Sequence, residues 1–177
     1  MIRNLRESDA AAMYEWMHDS SVVENLQTDF MSFGMDKVET FIQNNKEPDY
    51  DSDALHFAIC DENDNYVGTI SLKDIDRKNK RAEYAISTCK SAHGKGYAGK
   101  ATADILRVAF DVLGLEKVYL YVSVDNIAAN KFYKKMGFVE EGVFRKHLMI
   151  KGKLSDIRWY SILSEDYHAR KTTIWKE

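Results

Sequence analysis

The chain has 177 residues, 45% hydrophobic and 30% charged, a globular balance with length enough for a substantial core. Its net charge of −3 lacks the basic field that general nucleic-acid binding needs, and no apolar run approaches a membrane span. Two cysteines, Cys60 and Cys89, argue against a disulfide framework; with no signal-peptide apolar region, they set the expectation of one cytoplasmic domain, residues 1–177.

Residues 1–6 read as a short strand. Ser8 then caps a helix over "SDAAAMYEWMHD", with Ala12, Met13, Trp16 and Met17 on one face. After the loop "SSVVENLQTDFMSFG", the stretch "MDKVETFIQNN" repeats the helical period through Val38, Phe41 and Ile42. The sole proline, Pro48, marks a loop in "NNKEPDYDSDA". The period then falls to two. "ALHFAICD" places Leu55, Phe57 and Ile59 on one face, "DENDN" reads as a turn, and "YVGTISLKDI" and "RAEYAIST" complete an antiparallel meander. A glycine-rich loop follows, then an amphipathic helix "KATADILRVAFDVLG" that Gly114 stops. "KVYLYVSV" is a strand, "NIAANKFYKKMG" a short helix, and "FVEEGVFRKHLMIKGKLSDIRWYSIL" a hairpin turning at Lys151-Gly152. The expected class is α+β: a mostly antiparallel sheet with one right-handed βαβ crossover after the loop.

The loop "HGKGYAGKAT", His93 to Thr102, fits three phosphate-binding patterns. All use backbone N–H groups at a helix start, where glycines let the chain approach an anion. As a P-loop it needs a hydroxyl after Lys100 to hold Mg²⁺, and Ala101 has none. As a dinucleotide fingerprint it needs to follow the first strand of a βαβ unit, with an acid near the next strand's end. Here three antiparallel strands come first; Glu116 precedes the next strand and Asp125 lies too far along. The Q/R-x-x-G-x-G/A pattern of acetyl-coenzyme A binders remains, with His93 at its first position.

From about residue 55 the chain resembles the GNAT superfamily of N-acetyltransferases. The resemblance rests on "AEYAIST", "HGKGYA", "VYLYVSV" and "NIAANKFYKKMGFVEEG" in the right order. The C-terminal pattern of Gly142, Arg145, Gly152 and Asp156 is similar to the branch of ribosomal-protein, spermidine and amino-sugar N-acetyltransferases. The resemblance implies a twisted sheet of about seven strands flanked by about four helices, with acetyl-CoA as co-substrate and no metal. It implies that Ile86, Ser87 and Thr88 meet the pantetheine arm. His93, Gly94, Lys95, Gly96, Tyr97, Ala98 and Gly99 would hold the pyrophosphate, and Asn126 and Asn130 would contact the cofactor.

Amide formation from a thioester needs a neutral amine, a polarised carbonyl and a proton for the departing thiolate. The resemblance places Tyr133 beside the sulfur as the acid; otherwise it is a core aromatic. Glu83 is the candidate base; otherwise it is a solvated acid pairing with Arg81 or Lys80. Asn126 reads equally as a helix cap. Cys89 lacks a recognisable partner for nucleophilic work.

The segment "EWMHDSSVVENLQTDF" is similar to polysaccharide-biosynthesis members. It points to an amino-sugar acceptor, free or nucleotide-linked, with Trp16 and Phe30 packing a ring and Asn25, Asp29 and His18 binding hydroxyls. Trp16 also fits the helix's core face. A polyamine or a protein N-terminus is the alternative acceptor, and a non-catalytic CoA sensor the alternative class. The expected partner is a small-molecule amine, without nucleic acid or membrane; a homodimer is compatible with this reading.

Overall fold

The computed structural model describes residues 1–24, 26 and 28–170. One seven-stranded sheet organises them. Its strands are β1 (Ile2–Arg3), β2 (Leu55–Cys60), β3 (Tyr66–Asp76), β4 (Arg81–Thr88), β5 (Lys117–Ser123), β6 (Val139–Ile150) and β7 (Lys153–Leu163), in the order β1-β2-β3-β4-β5-β7-β6. Every pairing is antiparallel except β4 with β5, which the crossover through the glycine loop makes parallel. Six helices join them: α1 (Ala10–Met17), α2 (Ser20–Val23), α3 (Met35–Asn45), α4 (Tyr97–Arg107), α5 (Ile127–Lys135) and α6 (Ser164–Arg170).

The expected meander, crossover and closing hairpin are all present. The hairpin turns at Lys151 and Gly152, with φ of 47° and 74°, the paired left-handed geometry that suits the twist of two antiparallel strands. Six helices stand where about four are expected, the short α2 and α6 being the additional ones, and the other differences lie at helix ends. Ser8 is not a cap: it sits in a 3₁₀ turn, Glu7–Asp9, and the Asp9 carboxylate accepts from Arg6 N–H while holding the Arg3 guanidinium at 2.8 Å. Helix α4 starts at Tyr97, so Tyr97, Ala98 and Gly99 form its first turn. It runs on into a π-turn, Val108–Val112, before Gly114 at φ 63° ends it.

Alternation along the strands gives the sheet two different faces. Leu55, Phe57, Ile59, Ile70, Leu72, Tyr84, Val118, Leu120, Tyr160 and Ile162 point to one, where they pack with Ile105 and Leu106 of α4, Tyr133 of α5 and Tyr167 of α6. On the other, α1 and α3 bury Met13, Trp16, Val38 and Ile42 against Ala58, Cys60 and Tyr66 of β2 and β3. The residues that β5 and β7 add to this second face, Tyr119, Tyr121 and Trp159, remain partly exposed.

Candidate active site

Gly94 and Gly96 lie at φ 76° and 85°, a region that other residues enter at a cost, and Gly96 is the N-cap of α4. Among the described residues the N–H groups of Gly94, Gly96, Tyr97 and Ala98 have no acceptor. Together with the positive end of an eleven-residue helix, they offer an anion a cluster of donors. Gly99 does not belong to that cluster, because its N–H donates to Gly96 O at 3.1 Å. Its place is helix packing: an added Cβ would meet Met136 Sδ at 3.8 Å. The Tyr97 hydroxyl donates to Glu62 Oε2 at 2.6 Å, which ties the first turn of α4 to the β2–β3 turn. His93 and Lys95 are exposed beside the glycines.

Strand β4 leads into this loop, and its pairing with β5 stops early. Only Arg81, Ala82 and Glu83 face β5, opposite Lys117, Val118 and Tyr119. Beyond Glu83 the two strands part. Ile86, Ser87 and Thr88 keep partners on β3 alone, opposite Ile70, Thr69 and Gly68, while β5 continues against β7. The result is a wedge whose β4 edge leaves main-chain groups for an extended ligand to pair with. Gly68 makes this end of β4 possible, since a Cβ there would stand 2.4 Å from Ser87 O and 2.9 Å from Thr88 Cα. A glycine inside an alternating strand is the signal that could have found it.

Tyr133 and Glu83 flank the apex of the wedge from opposite faces. Tyr133, 9% exposed, lies edge-on to Tyr84 at 6.0 Å and near Tyr160 at 6.1 Å. Its hydroxyl has no hydrogen-bond partner among the described residues, and burial alone raises its pKa well above the usual tyrosine value. It is therefore a protonated, unengaged donor. Glu83 is the last β4 residue paired with β5, and it is buried rather than solvated. Its partner is neither Arg81 nor Lys80: Lys73, directly across on β3, places Nζ 2.6 Å from Oε1. Burial opposes the Lys73 ammonium, but the hydrogen bond and charge of Glu83 outweigh it and raise the lysine pKa.

The two asparagines act within the fold. Asn126 Oδ1 accepts from Ala129 N–H at 3.1 Å and caps α5. Asn130 is 5% exposed and fully engaged. Its Nδ2 donates to Ser123 O and Asn126 O, and its Oδ1 accepts from Arg158 and the Tyr160 hydroxyl. No valence is left for a cofactor, so its role is to lock α5, and with it Tyr133, onto β5 and β7.

Of the expected acceptor wall, Trp16 is corrected. Trp16 is 4% exposed, and its Nε1 donates to the Tyr66 hydroxyl at 2.9 Å; it is core, as its periodicity allowed. Phe30 packs edge-on against it at 5.3 Å. Asp29 sits in an exposed turn, His18 bonds Tyr14 O, and Asn25 lies outside the described residues. Cys89 is half-buried, and burial pushes its thiol up to about 11, so little nucleophilic thiolate exists at neutral pH. Among the described residues no group of three His, Cys, Asp or Glu side chains is placed to hold a metal ion, and no helix is long and apolar enough to cross a membrane.

The chain is similar to known acetyltransferases. Residues 1–139 match the acetyltransferase (GNAT) domain family. A spermidine N(1)-acetyltransferase of Vibrio cholerae is 32% identical over 118 residues, 67% of this chain and 68% of that one. The uncharacterised N-acetyltransferase p20 of Bacillus licheniformis is 26% identical over 168 residues, covering 94% of this chain and 93% of its own. The crystal structure of spermidine N-acetyltransferase from Vibrio cholerae in complex with CoA and spermine superposes with a TM-score of 0.85 at 26% identity, over 95% of this chain and 97% of that one.

Proposed function

The chain belongs to the GNAT acetyltransferase family and is an N-acetyltransferase that uses acetyl-CoA; on that premise we propose that its acceptor is a primary amine of a polyamine. One observation carries the reading: the close superposition, over nearly the whole chain, on an enzyme whose structure holds CoA and spermine together. The amino-sugar acceptor finds no such support, and Trp16, its principal ring platform, is sealed in the core.

In this reading the diphosphate takes the free N–H groups of Gly94, Gly96, Tyr97 and Ala98, and the pantetheine arm extends the β4 edge along Ile86 to Thr88. The thioester then lies at the apex, between the donor on one face and the carboxylate on the other. An alkyl amine with a pKa of about 10.4 is neutral in about one molecule in 2,500 at pH 7. Glu83, with Oε1 engaged by Lys73, receives the amine proton on Oε2, directly or through water. The amine nitrogen attacks the carbonyl carbon, the C–S bond breaks, and the Tyr133 hydroxyl protonates the departing sulfur. Water takes the second nitrogen proton as the amide forms and relieves Glu83 of the first. Solvent restores the proton to Tyr133.

The test is a set of steady-state rates with acetyl-CoA on spermidine, spermine, nucleotide-linked amino sugars and N-terminal peptides, with product masses. Polyamines are expected to show the highest kcat/KM. A sugar or peptide exceeding them would overturn the acceptor and leave the cofactor chemistry standing.

A further inference from the structure

The second face of the sheet carries a charge that its own cations do not neutralise. Around the apex, Lys73 is paired with Glu83, Arg81 lies 3.6 Å from Asp76, and Lys117 lies 2.6 Å from Glu141. His56, bonded to Ser71, has its pKa lowered by burial and then by the Lys73 charge, so it adds no cation at neutral pH. Asp74 is left over: exposed, with no ion-pair or hydrogen-bond partner among the described residues.

Its position is unusual. The β3–β4 register passes from Lys73↔Glu83 to Asp76↔Arg81, so β3 holds one extra residue here, and Asp74 takes φ 48° in the resulting bulge. Ile75 keeps to the core, and Asp74 comes close enough for its charge to act on Lys73, Tyr119 and Tyr121. Those tyrosines belong to a partly exposed aromatic row. Tyr119 stacks on Trp159 at 5.7 Å and 18°, Tyr121 meets Trp159 at 5.3 Å, and Phe144 meets it at 5.3 Å. Aromatic faces beside an uncompensated carboxylate attract an alkylammonium, by cation–π contact along its chain and by charge at its end.

We infer that Asp74, with the Tyr119 ring, is a second-ammonium site that selects acceptors with two cationic centres over simple monoamines. The inference rests on the polyamine reading. One amine of the acceptor sits at Glu83, at the apex. The methylene chain crosses Tyr119, which is paired with Glu83 across the sheet. The next ammonium meets Asp74, on the side of the apex away from the mouth of the wedge. A monoamine fills only the first position.

The experiment compares the unaltered chain with Asp74→Asn, which removes the charge while keeping a residue type that tolerates left-handed backbone. Turnover of spermidine by the unaltered chain tests the reading; its absence overturns reading and inference together. Calorimetric titration of the CoA-bound protein with spermine tests the inference separately. The dissociation constant is expected to rise roughly fivefold in Asp74→Asn, the upper range for one exposed ion pair. Tyr119→Leu is expected to weaken spermine as well. Spermidine turnover in the unaltered chain with spermine affinity equal in all three proteins would overturn Asp74 as the anchor and keep the polyamine reading.

Discussion

Tyr133 joins two properties that rarely meet in one side chain: it is buried, yet its hydroxyl bonds nothing among the described residues. Removing that hydroxyl in Tyr133→Phe should leave the packing against Tyr84, Phe138 and Tyr160 intact while lowering kcat by about 10²-fold, the low end for a general acid because water can substitute in part. Affinity for CoA should change little, and full turnover by the variant would return Tyr133 to a packing role. The same burial predicts an alkaline signature. The folded-state pKa is raised above the ordinary value of about 10. Its contribution to stability is therefore complete below about pH 10 and is lost as pH climbs toward the folded-state pKa, because the unfolded chain releases its proton first. Tyr84 is raised by burial first and then by the charge of Tyr133; it loses that second contribution in Tyr133→Phe, which widens the difference between the two proteins in the same direction. Thermal unfolding from pH 8 to pH 11 should thus show wild type losing more stability than Tyr133→Phe. An equal loss in both would mean that the hydroxyl is not desolvated.

At the scale of elements, the loop and α4 form one device, and Gly96 is its hinge point. Nothing lies within 4 Å of a Cβ built there, so the protein itself leaves room; the obstacles to a side chain are φ 85° and the approach of a ligand. Gly96→Val should remain folded, with a conformational cost of about 1–3 kcal/mol, and should lose CoA binding. Circular dichroism and calorimetry check the two halves, and unchanged CoA affinity would place the phosphates elsewhere. Asn130→Ala tests the other device. It would strip partners from Ser123 O, Arg158 and Tyr160 at once, and should lower stability in urea by about 2–3 kcal/mol. A loss under about 0.5 kcal/mol, the range of ordinary surface changes, would show that α5 is held by other contacts. These two devices also show what was legible in the sequence. The loop was, because glycine spacing and a following amphipathic run are local signals. The role of Asn130 was not, because its decisive partners lie 28 and 30 residues away on β7. The spacing of Trp16 carried its core role, whereas the resemblance of its neighbourhood to polysaccharide-biosynthesis members pointed to a sugar platform instead. Asp74 was invisible for a third reason: strict alternation along "YVGTISLKDI" runs straight through the bulge that displaces it. Helices α2 and α6 have only four and seven residues, too few for a helical period to stand out.

Across the whole molecule, the sheet works as a partition. In the proposed mechanism its α4–α5 face supplies the anion cradle and the acid, its opposite face supplies the carboxylates, and the parting of β4 from β5 is the passage between them. A ligand that occupies cradle and wedge together bridges elements far apart in sequence, from β3 at Gly68 to α5 at Tyr133. Such a ligand binds the folded chain and has no site on the unfolded one. Linkage then requires stabilisation by about 2.7 kcal/mol at 100 times its dissociation constant. For a chain of 177 residues this corresponds to roughly 5–10 °C in Tm. Acetyl-CoA and CoA should both produce the shift. Neither NAD nor Mg²⁺-ATP should match it, even though each presents a diphosphate to the same N–H groups, because neither carries an arm of amides to pair along Ile86 to Thr88. That contrast separates the wedge from the loop. A shift with every diphosphate ligand would mean that the loop alone binds and the β4 edge does not take part. A shift with Mg²⁺-ATP and none with CoA would overturn the acetyl-CoA assignment of the site.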